Sequence, residues 1–142
     1  MIVLDTNVVS ELMRPTPAPS VEEWVASRDG ASLFLTAVAE AELRYGVLVM
    51  PAGHRRDVVS AALDAMLLED FGGRVLPFDS AAANAYAAIA AARRAIGRPV
   101  CQSDAQIAAI ARSRSMSVAT RNIRDFEEME VDLMNPWTAS EV

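Results

Sequence analysis

Short apolar runs alternate with helical segments along this chain, and that alternation constrains the fold more than any other feature. The runs that we predict as strands are residues 2–4, 32–35, 75–78, 117–120 and 131–134. They are mainly apolar throughout instead of at every second position, which is typical of parallel strands covered on both faces. The pattern predicts a three-layer α/β/α fold with a central, mostly parallel sheet of four to five short strands.

The segments between these runs have the apolar spacing of helices. The predicted helices are residues 8–13, 20–28, 37–49, 55–70, 80–96 and 104–114, followed by a helical turn over residues 122–129. Ser20, Asp79 and Ser103 are expected to cap three of them, because their side-chain oxygens can accept bonds from the first free amides. The chain has neither an internal repeat nor a linker-like stretch, so residues 1–142 are expected to form a single domain.

The polar residues exclude several classes of enzyme. All 13 basic residues are arginines, which rules out nucleotide sites and Schiff-base chemistry that need a lysine. The single cysteine, Cys101, and the single histidine, His54, exclude a disulfide framework and zinc sites built from several such ligands. Carboxylates, hydroxyls, amides and arginines remain as the groups available for chemistry.

The overall charge and the apolar stretches limit the partners of the chain. A net charge of −6 argues against a surface that coats nucleic acid without sequence preference, because such binding needs many cations. It leaves open an enzyme that processes nucleic acid through metal ions. The first apolar run is too short for a signal peptide, and no apolar stretch reaches the roughly 18 residues of a membrane-spanning helix. A cytoplasmic protein that does not bind membranes is therefore expected.

Four polar residues lie near strand ends or helix starts. Asp5 follows the first strand, and Glu42 lies within the helix after the second. Asp104 opens a later helix, and Asn122 follows the fourth strand. The carboxyl ends of parallel strands share one edge of the sheet, so these residues can meet there. Each has a plain alternative as a helix cap or, for Glu42, as a solvated helix residue that reaches the others only if its helix crosses that edge.

Taken together, the acids indicate a cation site. Carboxylates a few ångströms apart repel by roughly 4 kcal/mol per pair at an effective dielectric constant near 20, so a cluster needs raised pKa values or a cation. A set of oxygen ligands favours Mg²⁺ or Mn²⁺ over zinc. Such an ion would lower the pKa of a water molecule and hold a phosphate oxygen, which would replace the histidine base that this chain lacks.

Four segments of the chain, in order, resemble the PIN-domain ribonucleases. They are residues 2–12 (IVLDTNVVSEL), 39–46 (AEAELRYG), 104–109 (DAQIAA) and 118–126 (VATRNIRDF). Within that family the resemblance is to the VapC toxins of bacterial toxin–antitoxin pairs, including the FitB-like branch. It extends over nearly the whole chain, to the Asn-Pro-Trp sequence that ends at Trp137.

The resemblance implies an endoribonuclease that depends on Mg²⁺ or Mn²⁺ and cleaves RNA with a metal-activated water. Asp5, Glu42 and Asp104 match the first three acids of the family, which implies that they bind the metal and act in catalysis. Asn122 falls on the fourth catalytic position, where many members carry aspartate. This departure implies weaker binding of a second ion.

Supporting roles are implied for residues beside these four. Thr6, Asn7 and Thr120 match positions that orient the acids or the backbone by hydrogen bonding. Asp125 matches the aspartate of the family's Asp-Phe pair and could partly compensate for Asn122. Tightly held RNA also needs a local positive patch, for which four arginines are candidates: Arg14, Arg44, Arg121 and Arg124.

The family also implies partners. It implies a homodimer and a small antitoxin of the VapB or FitA type, whose C-terminal segment covers the site. Operator DNA would be bound only through the antitoxin. The acidic pI of about 4.7 is compatible with a basic antitoxin segment.

Two other functions are considered. A dimeric co-repressor that binds its antitoxin and has weak nuclease activity, because of Asn122, is compatible with the same family. An aspartate-dependent phosphatase would also place an aspartate after the first strand. It needs a second aspartate two residues later and a lysine, and this chain has Asn7 at that position and no lysine.

Overall fold

The computed structural model describes residues 1–138, which form one parallel sheet flanked by helices. The strands are β1 (Ile2–Leu4), β2 (Leu33–Thr36), β3 (Val75–Leu76), β4 (Ser117–Ala119) and β5 (Leu133–Met134). They lie in the order β3-β2-β1-β4-β5, and every neighbouring pair is parallel. The predicted α/β/α fold is confirmed, with five strands. The predicted domain runs to residue 142, and its last four residues lie outside the described residues.

Helices occupy the segments predicted for them. They are α1 (Thr6–Leu12), α2 (Pro19–Ala26), α3 (Ala37–Leu48), α4 (His54–Ala65), α5 (Ser80–Ala95), α6 (Gln102–Ser113) and α7 (Ile123–Phe126). A 3₁₀ turn, Gly30–Ser32, precedes β2, and a π-helical turn, Met66–Asp70, continues α4. The long helix predicted over residues 55–70 therefore changes its winding in its last turn.

The order of the strands reverses beside β1. The chain runs outward from β1 to β2 and β3, and then returns to the other side of β1 to form β4 and β5. Leu4 of β1 lies beside Ala119 of β4, so Asp5 and Thr120 both leave the sheet at the point of reversal. In α/β sheets, ligands bind in the crevice outside the strand ends at such a point.

The core joins the sheet to the surrounding helices. Val3 and Leu4 are fully buried, and α6 buries five consecutive residues from Ile107 to Ala111. The many alanines of α5 and α6 allow the two helices to pack closely. Within residues 1–138, the structure contains no helix with the length and apolar character needed to cross a bilayer.

Side chains cap the starts of α3 and α5, and the cap at Asp79 confirms the expectation from the sequence. The Thr36 hydroxyl accepts the N–H of Ala39 at 3.0 Å at the start of α3. The Asp79 carboxylate accepts the N–H of Ala82 at 3.0 Å at the start of α5. Both bonds satisfy amides that lack a partner within the first helical turn.

The expected cap at Ser20 is wrong. Ala18 is the N-cap of α2, and Pro19 is its first residue. Proline suits this place because its fixed φ matches a helix and its missing N–H needs no acceptor. The N–H of Ala18 is bound at 3.2 Å by the buried carboxylate of Glu11, so a side chain from α1 fixes the start of α2.

The expected cap at Ser103 is also wrong. The chain is extended at Cys101, whose carbonyl oxygen accepts the N–H of Ala105. Cys101 is therefore the N-cap, and α6 begins at Gln102, before the predicted start. Ser103 therefore lies inside the first turn, where its hydroxyl is 3.6 Å from the Cys101 sulfur. Asp104 lies in the first turn instead of opening the helix.

Candidate active site

The carboxylate of Asp5 lies at the end of β1 and is held from two sides. Its Oδ1 accepts the backbone N–H of Thr6 at 2.8 Å, which makes Asp5 the N-cap of α1. Its Oδ2 accepts the hydroxyl of Thr120 at 2.8 Å, at the end of the neighbouring strand β4. Asp5 is buried, and each oxygen keeps a further lone pair with which the carboxylate can bind a cation.

Thr6 connects Asp5 to Glu42. Its N–H donates to Asp5, while its hydroxyl donates to Glu42 Oε1 at 2.8 Å. Glu42 lies in the middle of α3, and α3 packs against α1. This packing brings Glu42 to the edge of the sheet, which was the condition for it to meet the other acids.

Asp104, in the first turn of α6, is the third acid of the site. Burial is the main reason that the pKa of Asp104 is raised to about 6. Three neighbouring carboxylates also raise this pKa, those of Asp5, Asp125 and Glu42 in decreasing order. A hydrogen bond with the Cys101 side chain acts in the opposite direction.

Burial also raises the pKa of Asp5 above its ordinary value. The bonds from Thr120 and Thr6 lower this pKa, and the charges of Glu42 and Asp125 raise it. Part of the rise in each pKa comes from the charges of neighbouring acids, and no cationic side chain is among the groups that oppose it. A divalent cation would relieve that repulsion.

Asn122, directly before the short helix α7, lies on the fourth side of the site, and Asp125 lies within α7. The N–H of Asn122 donates to the Thr120 hydroxyl at 3.0 Å, and Asn122 lines the same depression as the acids. Its side chain forms no capping bond to α7. Asp125 does not line the depression, although its charge acts on both aspartates of the site.

Six of the residues predicted for the site line one depression of about 320 Å³, whereas Thr120, Arg121 and Asp125 do not line it. Its lining consists of Asp5, Thr6, Asn7, Ser10, Glu42, Asp104 and Asn122. Ser10 is the lining residue that sequence reasoning missed. It lies four positions after Thr6 in α1, so the helical repeat places both on one face and provides the signal that could have identified it.

The arginines considered for RNA binding differ in their surroundings. Arg14 pairs with Glu11 at 3.1 Å, and Arg44 is bound to both Glu40 and Asp64. Arg121 is exposed beside the site, and its backbone N–H donates to Asn7 Oδ1 at 3.4 Å. Its guanidinium carbon lies 5.2 Å from the centre of the Trp137 ring. Arg124 is exposed on α7.

The donor atoms of the depression suit a hydrated divalent cation. They are carboxylate, hydroxyl and amide oxygens, the ligands that Mg²⁺ and Mn²⁺ accept. Within residues 1–138, no three acidic, histidine or cysteine side chains lie close enough together to enclose an ion by themselves. Mg²⁺ keeps several water ligands and uses one or two carboxylates, so this spacing fits it.

Known proteins resemble this chain over nearly their full lengths. The family model of the PIN domain matches residues 2–131 of this chain. VapC ribonuclease Y4jK of Sinorhizobium fredii is 42% identical over 137 residues, 96% of this chain and 98% of that protein. Toxin FitB of Neisseria gonorrhoeae is 39% identical over 137 residues, 96% of this chain and 99% of that protein. The solved structure of FitAB bound to an IR36 DNA fragment includes a chain with a TM-score of 0.91, 39% identity and 96% coverage of both chains.

Proposed function

This chain belongs to the PIN-domain family, in its VapC and FitB branch, and from that premise we propose that it is a metal-dependent endoribonuclease acting as the toxin of a toxin–antitoxin pair. A ribonuclease and a toxin among its relatives support this proposal. Family membership also disfavours the phosphatase alternative, which requires a lysine that the chain lacks.

The observation that carries the proposal is the convergence of three distant acids on one depression. Asp5, Glu42 and Asp104 come from three different elements of the fold and line the same small space. Burial and mutual repulsion raise the pKa values of Asp5 and Asp104. A protein that only needed helix caps at these places would not need to bring the charges together.

We assign the cation to the depression lined by Asp5, Asp104 and Glu42, with Asn122 beside them. One or two of these carboxylates would bind the ion directly, and the rest would act through its water ligands. A bound Mg²⁺ or Mn²⁺ supplies Lewis-acid activation of a water molecule and of the scissile phosphate. The chain itself orients the ligands, because Thr120 and Thr6 hold the carboxylate of Asp5, and Thr6 also holds that of Glu42. At neutral pH the pKa of about 6 leaves the Asp104 carboxylate mainly ionised and able to bind the ion.

RNA is proposed to approach the depression beside Arg121. This arginine lies at the rim next to Asn122, and its guanidinium is stacked against Trp137. Arg14 and Arg44 are less suited, because nearby carboxylates already pair with them. With a net charge of −6 and few cations at the rim, binding of the phosphate chain relies largely on the metal ion.

An antitoxin segment is proposed to cover the site along an apolar groove. The depression of the acids shares Thr6, Ser10 and Glu42 with a neighbouring depression, which shares Met13 and Val59 with a third of about 630 Å³. Met13 and Ala62 also line a fourth, of about 830 Å³. The acids therefore lie at one end of a groove beside α1 and α4, which suits an extended segment with a basic end and apolar anchors.

A second copy of the chain is the other proposed partner. Tyr45 and Leu48, in the last turn of α3, and Val49, just after it, are between 61% and 68% exposed, and such a group of large apolar side chains is unusual at a free surface. We propose that they form part of a homodimer interface. Operator DNA would be bound through the antitoxin, in keeping with the FitAB complex with DNA.

The proposal is tested by RNA cleavage with the purified chain. Asp5→Asn should abolish cleavage with Mg²⁺ or Mn²⁺ and leave the fold and the oligomeric state intact. Asp29→Asn is a matched control, because Asp29 caps the 3₁₀ turn that precedes β2, and asparagine caps equally well there. Full cleavage activity of Asp5→Asn would contradict the proposal, as would an equal loss of cleavage activity in Asp29→Asn.

A co-repressor with feeble nuclease activity is the second candidate, and Asn122 at the fourth acidic position favours it. The two functions separate when the chain is induced in cells without its antitoxin. Growth arrest with cleaved RNA supports the toxin, whereas normal growth together with antitoxin-dependent DNA binding supports the co-repressor.

A further inference from the structure

Arg93 is a buried arginine whose guanidinium binds backbone instead of a carboxylate. It lies in the last turn of α5 and is 6% exposed. None of the ion pairs found in residues 1–138 involves it. It donates to three carbonyl oxygens, those of Arg98, Asp125 and Glu127, at 2.8, 3.1 and 2.9 Å. Two of these three acceptors belong to the end of α7.

The end of α7 needs such a donor. A helix of four residues leaves its last carbonyl groups without partners inside the helix. Beyond it, Glu128 and Glu130 have φ values of +62° and +55°, a backbone region that residues other than glycine adopt only when their surroundings hold them. Arg93 supplies this hold from within the core, and a positive charge is favourable at a helix C-terminus.

Other arginines contact the same segment from its outer side. Arg98 donates to the carbonyl oxygen of Arg124 at 3.1 Å and pairs with Glu127 at 3.5 Å. Arg112 pairs with Glu130 at 2.9 Å. Both arginines are partly exposed, and ion pairs at such places contribute little. The buried bonds of Arg93 therefore dominate the fixing of α7.

The position of α7 matters to the site because α7 provides its fourth side. Asn122, directly before the helix, lines the depression of the acids. Asp125, inside the helix, acts by its charge on Asp5 and Asp104, and its own carbonyl oxygen is an acceptor of Arg93. A shift of α7 would thus change both the shape and the charge of the cation site.

We propose that Arg93 is a positioning residue of the cation site, which holds α7 so that Asn122 lines the depression and Asp125 stays near Asp5 and Asp104. This inference rests on the proposed function, because the cation is part of that function. Arg93 contacts α7 and the turn after α5, and none of its three bonds goes to a residue that lines the depression.

The test compares Arg93→Met with Ile89→Ala in the full chain. Ile89 lies one helical turn earlier in α5 and is also buried, so its variant destabilises the same helix without removing a bond to α7. Mn²⁺ binding is measured by electron paramagnetic resonance, and amide hydrogen exchange is measured for residues 122–130. Arg93→Met should weaken Mn²⁺ binding by about tenfold or more, a loss typical of mutating residues that orient a metal site. It should also speed amide exchange in residues 122–130. Ile89→Ala should change neither.

Arg93→Lys keeps the charge but not the fork of donors, and it decides the matter if Arg93→Met does not fold. Its Mn²⁺ affinity and its exchange rates should lie between those of the wild type and Arg93→Met. If only this variant folds, its Mn²⁺ affinity should be lower, and its exchange faster, than in the wild type. A folded Arg93 variant with wild-type Mn²⁺ binding and wild-type exchange would overturn the inference, as would equal effects in Ile89→Ala. A wild-type chain that binds no Mn²⁺ would refute the proposed function, while the exchange rates would still decide whether Arg93 holds α7.

Discussion

The hydroxyl of Thr120 donates to Asp5 Oδ2 at 2.8 Å and so joins the ends of two adjacent strands that are 115 residues apart in the sequence. The hydroxyl oxygen of Thr120 also accepts the N–H of Asn122, at 3.0 Å. Thr120 has no exposed surface, so water does not compete for these bonds. One hydroxyl therefore orients the buried acid of the site and the start of α7 together.

Replacing Thr120 by valine removes this hydroxyl and keeps the shape of the side chain. We expect Thr120→Val to reduce cleavage and to move the acid limb of the pH–activity profile to higher pH, because the lost bond lowers the pKa of Asp5. The free energy of unfolding should fall by about 2 kcal/mol, typical of a hydrogen bond to a charged group. Thr120→Ser retains the hydroxyl and should behave as the wild type. Overlapping pH profiles of the valine variant and the wild type would contradict this role.

Thr6 is expected to affect the site through Glu42. Thr6→Val removes the hydroxyl that donates to Glu42 Oε1, while the backbone bond to Asp5 stays. Without this donor the Glu42 side chain is free to turn towards solvent, so the Mg²⁺ concentration for half-maximal cleavage should rise about tenfold. Metal titrations of Thr6→Val and Thr6→Ser, followed by cleavage rate, provide the measurement. A serine variant as impaired as the valine variant would show that packing, not the hydroxyl, is responsible.

The stability of the metal-free protein should fall as pH rises. The pKa of Asp104 is raised to about 6 in the folded chain, and that of Asp5 is raised as well, so the folded state holds these protons more tightly than the unfolded state. Their contribution to stability is present below about pH 4 and is lost as pH rises through about 6. Thermal unfolding with a chelator at a series of pH values should show this loss, and Asp104→Asn should reduce it.

Added Mn²⁺ should reverse the same trend. The ion competes with protons for the carboxylates, so its stabilising effect is larger at pH 7.5 than at pH 5. An equal shift in the unfolding temperature at both pH values would show that the ion binds elsewhere. Asp104→Asn should lose most of the stabilisation at pH 7.5.

The sequence was sufficient to predict the parallel sheet and the edge at which the acids meet. Strand ends are local features, and in a parallel sheet they share one edge whatever the packing of the helices. The reach of Glu42 could not be predicted in the same way, because it depends on how α3 packs against α1. Ser20 and Ser103 failed as caps because a proline and an extended cysteine started those helices earlier.

Residues that act across the fold were the hardest to predict. Nothing in the local sequence distinguishes Arg93 from the exposed Arg94 beside it, since only the three-dimensional path of α7 brings carbonyl groups to one of them. Thr120 was expected to orient an acid from the family resemblance, and its bond to Asp5 agrees with that expectation. Its second bond, to Asn122, follows from the turn after β4 and was not expected.

Restoring an acid at the fourth position should strengthen the cation site. Asn122→Asp replaces an amide that lines the depression with a carboxylate of similar shape, close to Asp5 and Asp104. In the absence of metal, the added charge should lower the unfolding temperature at pH 7.5, because the new carboxylate repels those of Asp5 and Asp104. In the presence of Mg²⁺ or Mn²⁺ it should lower the metal concentration for half-maximal cleavage by roughly tenfold, which corresponds to about 1.4 kcal/mol of binding free energy.

Asn122→Ala, which removes the amide without adding charge, should not gain metal affinity. Metal titrations of cleavage and unfolding curves with and without Mn²⁺ measure both effects. An aspartate variant that is neither destabilised without metal nor more sensitive to it would place Asn122 outside the reach of the cation and leave the site with three acids only.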